Sequence, residues 1–272
     1  MDKYQLFEQL HLRTGAFVIP NPWDAGSARI LAALGYEALA TSSAGLAFSI
    51  GQQDSAARIS REAILQNAQD IVNATNLPVS ADLENGFGPD PDSCAKTISL
   101  AAETGLVGGS IEDATGDPNN PIFDFNLAVE RIAAAVEESR KHPFMLTARA
   151  ENFLHGKRDL DDTIRRLQAF EKAGADVLYA PGLPDIAAIR TVCASVTRPV
   201  NVVMGLSGPT YSVSELEQAG VKRISVGGSA RAALGGLMRA AREVKDHGTF
   251  TYAKDALSSS EAEEYIFTPP KN

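Results

Sequence analysis

Eight short runs of small and β-branched apolar residues recur along this chain, each followed by a longer stretch of helical periodicity, and this alternation limits the fold more than any other feature. The runs are AFVIP (16–20), ALATS (38–42), PVSADL (78–83), VGGSIED (107–113), FMLTAR (144–149), DVLYA (176–180), PVNVVM (199–204) and RISVG (223–227). Several are continuously apolar, as strands covered on both faces by crossover helices should be. Alternating β and α patterns argue for βαβ units and a parallel sheet. Ser60 stands as a candidate N-cap before REAILQNAQDIVNAT. Gly105 closes PDSCAKTISLAAETG as a left-handed helix stop.

Eight such units in an uninterrupted chain of 272 residues predict the α/β class and a single (β/α)8 TIM-type barrel, which needs ~250 residues. An open doubly wound sheet is the weaker alternative, because NPWDAGSA carries a single glycine where a Gly-rich dinucleotide turn would stand. No Pro/Ser-rich linker divides the chain, so 1–272 is expected to form one barrel domain, with 246–272 as a C-terminal helical tail.

A net charge of −9 without any Lys/Arg cluster argues against a nucleic-acid partner. The two cysteines, Cys94 and Cys193, form neither a disulfide framework nor a metal spacing, which fits a reducing compartment. No apolar run approaches the ~20 residues that span a bilayer. MDKYQLFEQLHLRTG lacks the apolar segment of a signal peptide. The expectation is a cytoplasmic protein without a membrane partner.

In (β/α)8 enzymes the chemistry lies at the C-terminal ends of the strands. Those positions hold Asn21, Trp23 and Asp24 after the first run, then Ser42, Ser43, Ala44 and, further along, Asp54 after the second. Asp82 and Glu84 follow the third, Glu112 and Asp113 the fourth, Arg149 and Glu151 the fifth, and Asn201 lies on the seventh. Residues two apart on a strand share a face, so Asp82 and Glu84 are expected to point together. Clustered carboxylates repel one another unless a cation neutralises them. An oxygen-only set without His or Cys favours Mg²⁺, with Mn²⁺ as the alternative. Such an ion chelates a carboxylate and a 2-oxo oxygen and acts as a Lewis acid on a developing enolate. Arg149 would clamp the substrate carboxylate, and the backbone N–H groups of Ser43 and Ala44 would form an oxyanion hole. Trp23 and Asn201 are further candidate substrate contacts. His11, His142, His155 and His247 match no metal spacing and are read as structural.

NPWDAGSARILAALGYEALATSSAGLA, GQQD, PVSADLENGFG, GGSIEDATG, LTARAENFL and RPVNVVMG occur in this order along the barrel. With them the chain resembles the isocitrate lyase/phosphoenolpyruvate mutase superfamily. The resemblance implies that Asp82 binds Mg²⁺ directly and that Asp54, Glu84 and Glu112 act through water. It implies that Ser42, Ser43 and Ala44 form the substrate-binding turn, and that Arg149, Glu112 and Ser43 serve catalysis. It also implies a homo-oligomer, dimer or tetramer, that exchanges terminal helices, a role open to residues 229–265. One departure is large. Carbon–carbon lyases of the superfamily carry a KKCGH loop after the fourth strand, whereas IEDATGDPNNPIFDF has no Cys, Lys or His. The expected function is a Mg²⁺-dependent enzyme acting on a small 2-oxo carboxylate, or its 2-hydroxy acid precursor, through an enolate-like intermediate. Carbon–carbon lyase or decarboxylase chemistry is the first expectation. A phosphonopyruvate-type mutase or hydrolase, using Asn119 or Asn120, is one alternative, and a non-catalytic 2-oxo acid binding protein is the other.

Overall fold

The computed structural model describes residues 1–54 and 58–267. Each apolar run contains a strand: β1 (Phe17–Pro20), β2 (Leu39–Ala40), β3 (Val79–Asp82), β4 (Gly108–Glu112), β5 (Met145–Arg149), β6 (Val177–Tyr179), β7 (Val200–Met204) and β8 (Arg223–Val226). All are parallel, in the order β1-β8-β7-β6-β5-β4-β3-β2. On the seam between β1 and β2, Asn21 bridges, its Nδ2 donating to Thr41 O at 3.0 Å. Asn21 Oδ1 accepts from Val226 N at 2.8 Å, tying β8 to the same point. The result is a nearly closed (β/α)8 barrel.

The helices are α1 (Lys3–Leu12), α2 (Ala25–Ala33), α3 (Ser43–Ser49), α4 (Arg61–Ala74), α5 (Pro91–Glu103), α6 (Phe125–Ser139), α7 (Leu160–Ala173), α8 (Ile186–Ser195), α9 (Val213–Gln218), α10 (Ser229–His247) and α11 (Ser259–Phe267). Ser60 caps α4 as expected, its hydroxyl accepting from Ala63 N. Gly105 follows α5 at φ +85°. Helices α1 and α3 were not legible in the sequence. The apolar residues of α1 are spread round the helix, with Leu6 and Leu12 exposed, and α3 spans only seven residues.

Helix α1 stoppers the N-terminal end of the barrel. Its Phe7 and Leu10 pack with Phe17, Val107, Met145 and Val177 from the strand starts. Gly108 makes this approach possible, because a Cβ there would stand 2.9 Å from the Met145 carbonyl oxygen and 3.1 Å from the Phe7 ring. His11 lies edge-on between Phe7 and Phe17, and its Nδ1 meets Phe7 O at 2.8 Å. Burial and the nearby Arg223 guanidinium lower its pKa from 6.5 to about 3. The unfolded chain therefore takes up a proton near pH 6.5 that the folded protein refuses until about pH 3. Stability is fully present above pH 6.5 and falls with acidification, by about 2 kcal/mol at pH 5. Urea unfolding at pH 7 and pH 5 should show this loss, and His11→Leu should flatten it. An equal slope in the variant would assign the acid sensitivity to other groups.

In the C-terminal segment only the boundary of the tail differs from expectation. Helix α10 occupies the eighth helical position, yet none of its residues is buried. Leu237 and Met238 are 65% and 50% exposed. Helix α11 instead lies against α2, where Arg29 Nη1 reaches Ile266 O at 3.5 Å. The tail expected from 246 onward begins inside α10, which runs to His247 because its amphipathic pattern continues through Val244 to the Gly248 stop. Residues 268–272 of that tail lie outside the described residues. Among the described residues no helix is long and apolar enough to cross a membrane.

Candidate active site

A cavity of about 500 Å³ opens at the C-terminal ends of the strands and runs down into the barrel. It is lined by Ser42, Ser43, Ala44, Asp54, Asp82, Glu84, Glu112, Arg149 and Asn201. Of the residues expected at the strand ends and in the loop after β4, Trp23, Asp24, Asp113, Asn119 and Asn120 are absent from this wall. After β1 the chain turns so that Asp24 can cap α2, and Trp23 packs behind α3. A Cβ on Gly45 would come within 2.8 Å of the Trp23 Cβ. Asn21, two residues earlier, lines the cavity instead.

Arg149 is the hub of the rim. Its Nη1 meets Asp82 Oδ1 at 3.0 Å, Nη2 meets Glu112 Oε2 at 3.0 Å, and Nε meets Glu151 Oε1 at 2.9 Å. Its guanidinium also stacks 5.0 Å from the centre of the Tyr179 ring. Each Nη carries two N–H groups, so by count one donor on each is left over from these contacts. Asp82 accepts in addition from the Ser43 hydroxyl at 2.9 Å. Burial, and then the neighbouring carboxylates working against Arg149, push Glu112 and Glu151 above the usual carboxylate range.

Asp82 and Glu84 do converge on the cavity, but not by strand alternation. β3 ends at Asp82, and Glu84 sits beyond it in the left-handed region at φ +51°. A non-glycine residue there costs about 1–3 kcal/mol and persists only where its surroundings impose it. Arg131 of α6 helps to impose this turn by donating to the carbonyls of Asn85 and Gly88. Burial and the Asp82 charge raise the Glu84 pKa to about 7. Asp54 lies at the exposed mouth, where partial burial of its carboxyl and the Asp82 charge raise its pKa.

Ser42, Ser43 and Ala44 open a helix rather than a plain turn. The Ser42 hydroxyl is the N-cap and accepts from Gly45 N at 3.0 Å. The backbone N–H groups of Ser43 and Ala44, at the first two helical positions, have no partner among the described residues. Free N–H groups at a helix N-terminus suit an oxyanion. Asn201 reaches the cavity, but its Oδ1 accepts from Arg223 Nε at 2.8 Å and its Nδ2 donates to Ser225 Oγ at 3.1 Å. Asp113 belongs to a separate ion pair, 3.0 Å from Arg166 Nη1.

The loop after β4 folds back on itself through an Ala114–Ile122 bridge and a 2.9 Å bond from Thr115 N to Pro121 O. Asp117 of this loop and His155 line the cavity, whereas Asn119 and Asn120 do not. Sequence spacing carried no signal for Asp117 or His155, which reach the mouth by loop path alone. Cys94 and Cys193 lie in α5 and α8, away from the cavity, and burial pushes both thiols up to about 11.

The donor set suits a hard divalent cation. Asp54, Asp82, Glu84, Glu112 and Glu151 all line the cavity, and Arg149 is the cation standing among them at the rim. Burial first, and then the neighbouring Asp82 charge, raise Glu84. Among the described residues no three His, Cys, Asp or Glu side chains stand close enough to enclose an ion directly. Asp54, Asp82, Glu84 and Glu112 are the residues that would hold a hard ion that keeps several of its own waters, as Mg²⁺ does.

Comparison with known proteins agrees with this architecture. Residues 7–245 match the phosphoenolpyruvate phosphomutase family model. A candidate lyase/mutase from Burkholderia cenocepacia J2315 is 57% identical with a TM-score of 0.95, over 98% of this chain and 96% of that one. The 2-methylisocitrate lyase of Escherichia coli (strain K12) is 29% identical over 73% of this chain and 69% of its own length. A phosphonopyruvate hydrolase solved with oxalate and Mg²⁺ shares the fold, at 20% identity and a TM-score of 0.86 over 97% of this chain and 95% of its own. With its barrel, its rim of carboxylates around Arg149 and a family match across nearly its whole length, the chain belongs to the phosphoenolpyruvate phosphomutase family, within the isocitrate lyase/phosphoenolpyruvate mutase superfamily.

Proposed function

We propose that this protein is a Mg²⁺-dependent enzyme that binds a small 2-oxo carboxylate and cleaves a carbon–carbon bond through an enolate-like intermediate. The observation that carries this is the Arg149 hub. One guanidinium is gripped by three carboxylates on a cavity rim that holds two more, beside two backbone N–H groups without a partner among the described residues. When bound, Mg²⁺ would supply neutralisation of these carboxylates and Lewis acidity toward the ligand oxygens. The remaining N–H groups of Arg149 hold the ligand carboxylate. Ser43 orients Asp82 through its hydroxyl and, with Ala44, presents N–H groups to developing negative charge. Asp117 and His155 are the titratable groups at the mouth beyond the carboxylate cluster. Mg²⁺ and oxalate in the phosphonopyruvate hydrolase support the same ligand chemistry here.

Isothermal titration with oxaloacetate, 2-oxoglutarate and oxalate, with and without Mg²⁺, tests the assignment. Binding that requires Mg²⁺ is expected, followed by new products on incubation. No binding in either condition overturns it, and binding without turnover across a broad panel identifies a sensor instead. Phosphonopyruvate chemistry is the second possibility, favoured by the absence of any cysteine from the cavity wall. Phosphorus NMR of phosphonopyruvate with the protein distinguishes it, since an unchanged spectrum removes it.

We also propose that α10 is covered by a second copy of this chain. The helix has an apolar stripe and no buried residue, whereas barrel helices such as α6 bury one face. Light scattering should report a homo-oligomer, and Leu237→Glu with Met238→Glu should shift it toward monomer. A monomeric wild-type protein overturns this assignment.

A further inference from the structure

Arg223 opens β8 at the floor of the same cavity and is 6% exposed. Parallel register links Arg149 to Tyr179, Tyr179 to Asn201, and Asn201 to Arg223. Because Arg149 ends β5 and Arg223 begins β8, this line of inward residues descends from rim to floor. The Arg223 side chain then crosses the barrel, its Nη2 donating to Thr147 Oγ1 on β5 at 2.9 Å. Thr147 precedes Arg149 by two residues, which sets the Arg223 guanidinium ~7 Å beneath the Arg149 level.

The buried arginines differ in what holds them. Arg149 and Arg166 meet carboxylates, and Arg131 is held by backbone carbonyls of the turn after β3. Arg223 meets only the neutral oxygens of Asn201 and Thr147, and its Nη1 has no partner. No carboxylate pairs with it among the described residues. Burial lowers its pKa to about 10, so it remains charged at neutral pH. A buried charge without a counter-charge is strongly destabilising, and here it is retained at the end of a polar well. Ser80, Ser110 and Ser225 supply hydroxyls to the wall of that well.

We propose that Arg223 forms a second anion subsite at the cavity floor, which selects ligands carrying two carboxylates: one is held at the rim beside Arg149 and the other descends to Arg223. This rests on the assignment of the cavity to a 2-oxo acid and names the class within it. Asn201 acts as a positioning residue, because its amide fixes the guanidinium and is itself fixed by Ser225.

The test compares matched pairs that differ only in the distal carboxylate, oxaloacetate with 2-oxobutyrate and 2-oxoglutarate with 2-oxopentanoate, titrated calorimetrically with Mg²⁺. The wild-type protein should favour the dicarboxylate at least tenfold, the scale of one charge-assisted contact. Arg223→Met should bring the affinity ratio close to one, and Arg223→Lys should keep most of it. Asn201→Asp places a carboxylate beside Nε and should also collapse the ratio, so it decides the matter if Arg223→Met does not fold. A wild-type ratio near one, or a ratio within twofold of wild type in Arg223→Met or, where that does not fold, in Asn201→Asp, overturns the floor subsite while leaving the 2-oxo acid assignment intact. Failure of all four acids to bind overturns both.

Discussion

Arg149→Met is expected to weaken Mg²⁺-dependent oxalate binding by at least ~100-fold, since two charge-assisted hydrogen bonds to the ligand are lost. It is also expected to lower the melting temperature. The guanidinium holds Asp82, Glu112 and Glu151 at once, and Glu112 and Glu151 are 8% and 2% exposed. Removing one partner of a buried ion pair costs about 3–5 kcal/mol. For a domain of this size that is a loss of about 6–20 °C. The two effects separate in a double variant. Arg149→Met with Glu151→Gln removes one of the orphaned charges, so it should regain part of the thermal stability and none of the oxalate affinity. Calorimetric titration and thermal unfolding of both variants provide the check. Unchanged oxalate affinity in Arg149→Met would remove the residue from the binding site, whatever happens to its stability.

Asp82→Asn should produce the opposite balance. Mg²⁺-dependent oxalate binding is expected to disappear, because the residue proposed to bind the metal directly loses its charge, a change larger than the ~10–100-fold typical of outer-shell partners. The fold should tolerate the change. The amide is isosteric: its oxygen can still accept from Arg149 Nη1, and its Nδ2 can donate to the Ser43 hydroxyl oxygen, where the two carboxylate oxygens now accept from one donor each. Losing the Asp82 charge also relieves the repulsion that, after burial, raises Glu84 to about 7. The melting temperature without Mg²⁺ should therefore stay close to that of the wild type or rise. Oxalate affinity equal to the wild type's in this variant would count against the whole carboxylate assignment. Collapse of the fold would show that Asp82 is needed for the barrel rather than for a ligand.

The site was legible to an uneven degree, and the differences have physical causes. Asp82, Glu112 and Arg149 each end a strand, and strand ends can be located from local apolar runs. Glu84 was placed correctly for the wrong reason. Strand alternation was expected to aim it, whereas a left-handed backbone beyond the strand does so, held by Arg131 of α6, 46 residues beyond Asn85. Trp23 was misplaced because the direction of a turn after a strand depends on what caps the next helix, here Asp24. Asn119 and Asn120 were plausible by composition, but the loop bridge turns Asp117 toward the cavity instead.

By itself the sequence determined the eight-unit barrel and the acidic rim with its arginine. Both follow from local periodicity and from the rule that chemistry sits where barrel strands end. Only the tertiary structure decided that Arg149 binds three carboxylates at once, that Arg223 lies on the cavity floor without a carboxylate partner among the described residues, and that α10 leaves its apolar stripe uncovered. Those outcomes depend on barrel stagger and on partners far apart in the chain, 67 residues for Arg149 with Asp82 and 76 for Arg223 with Thr147. A local pattern shows which residues face inward. It carries no information on which of them meet across the barrel, because strand register and closure set that.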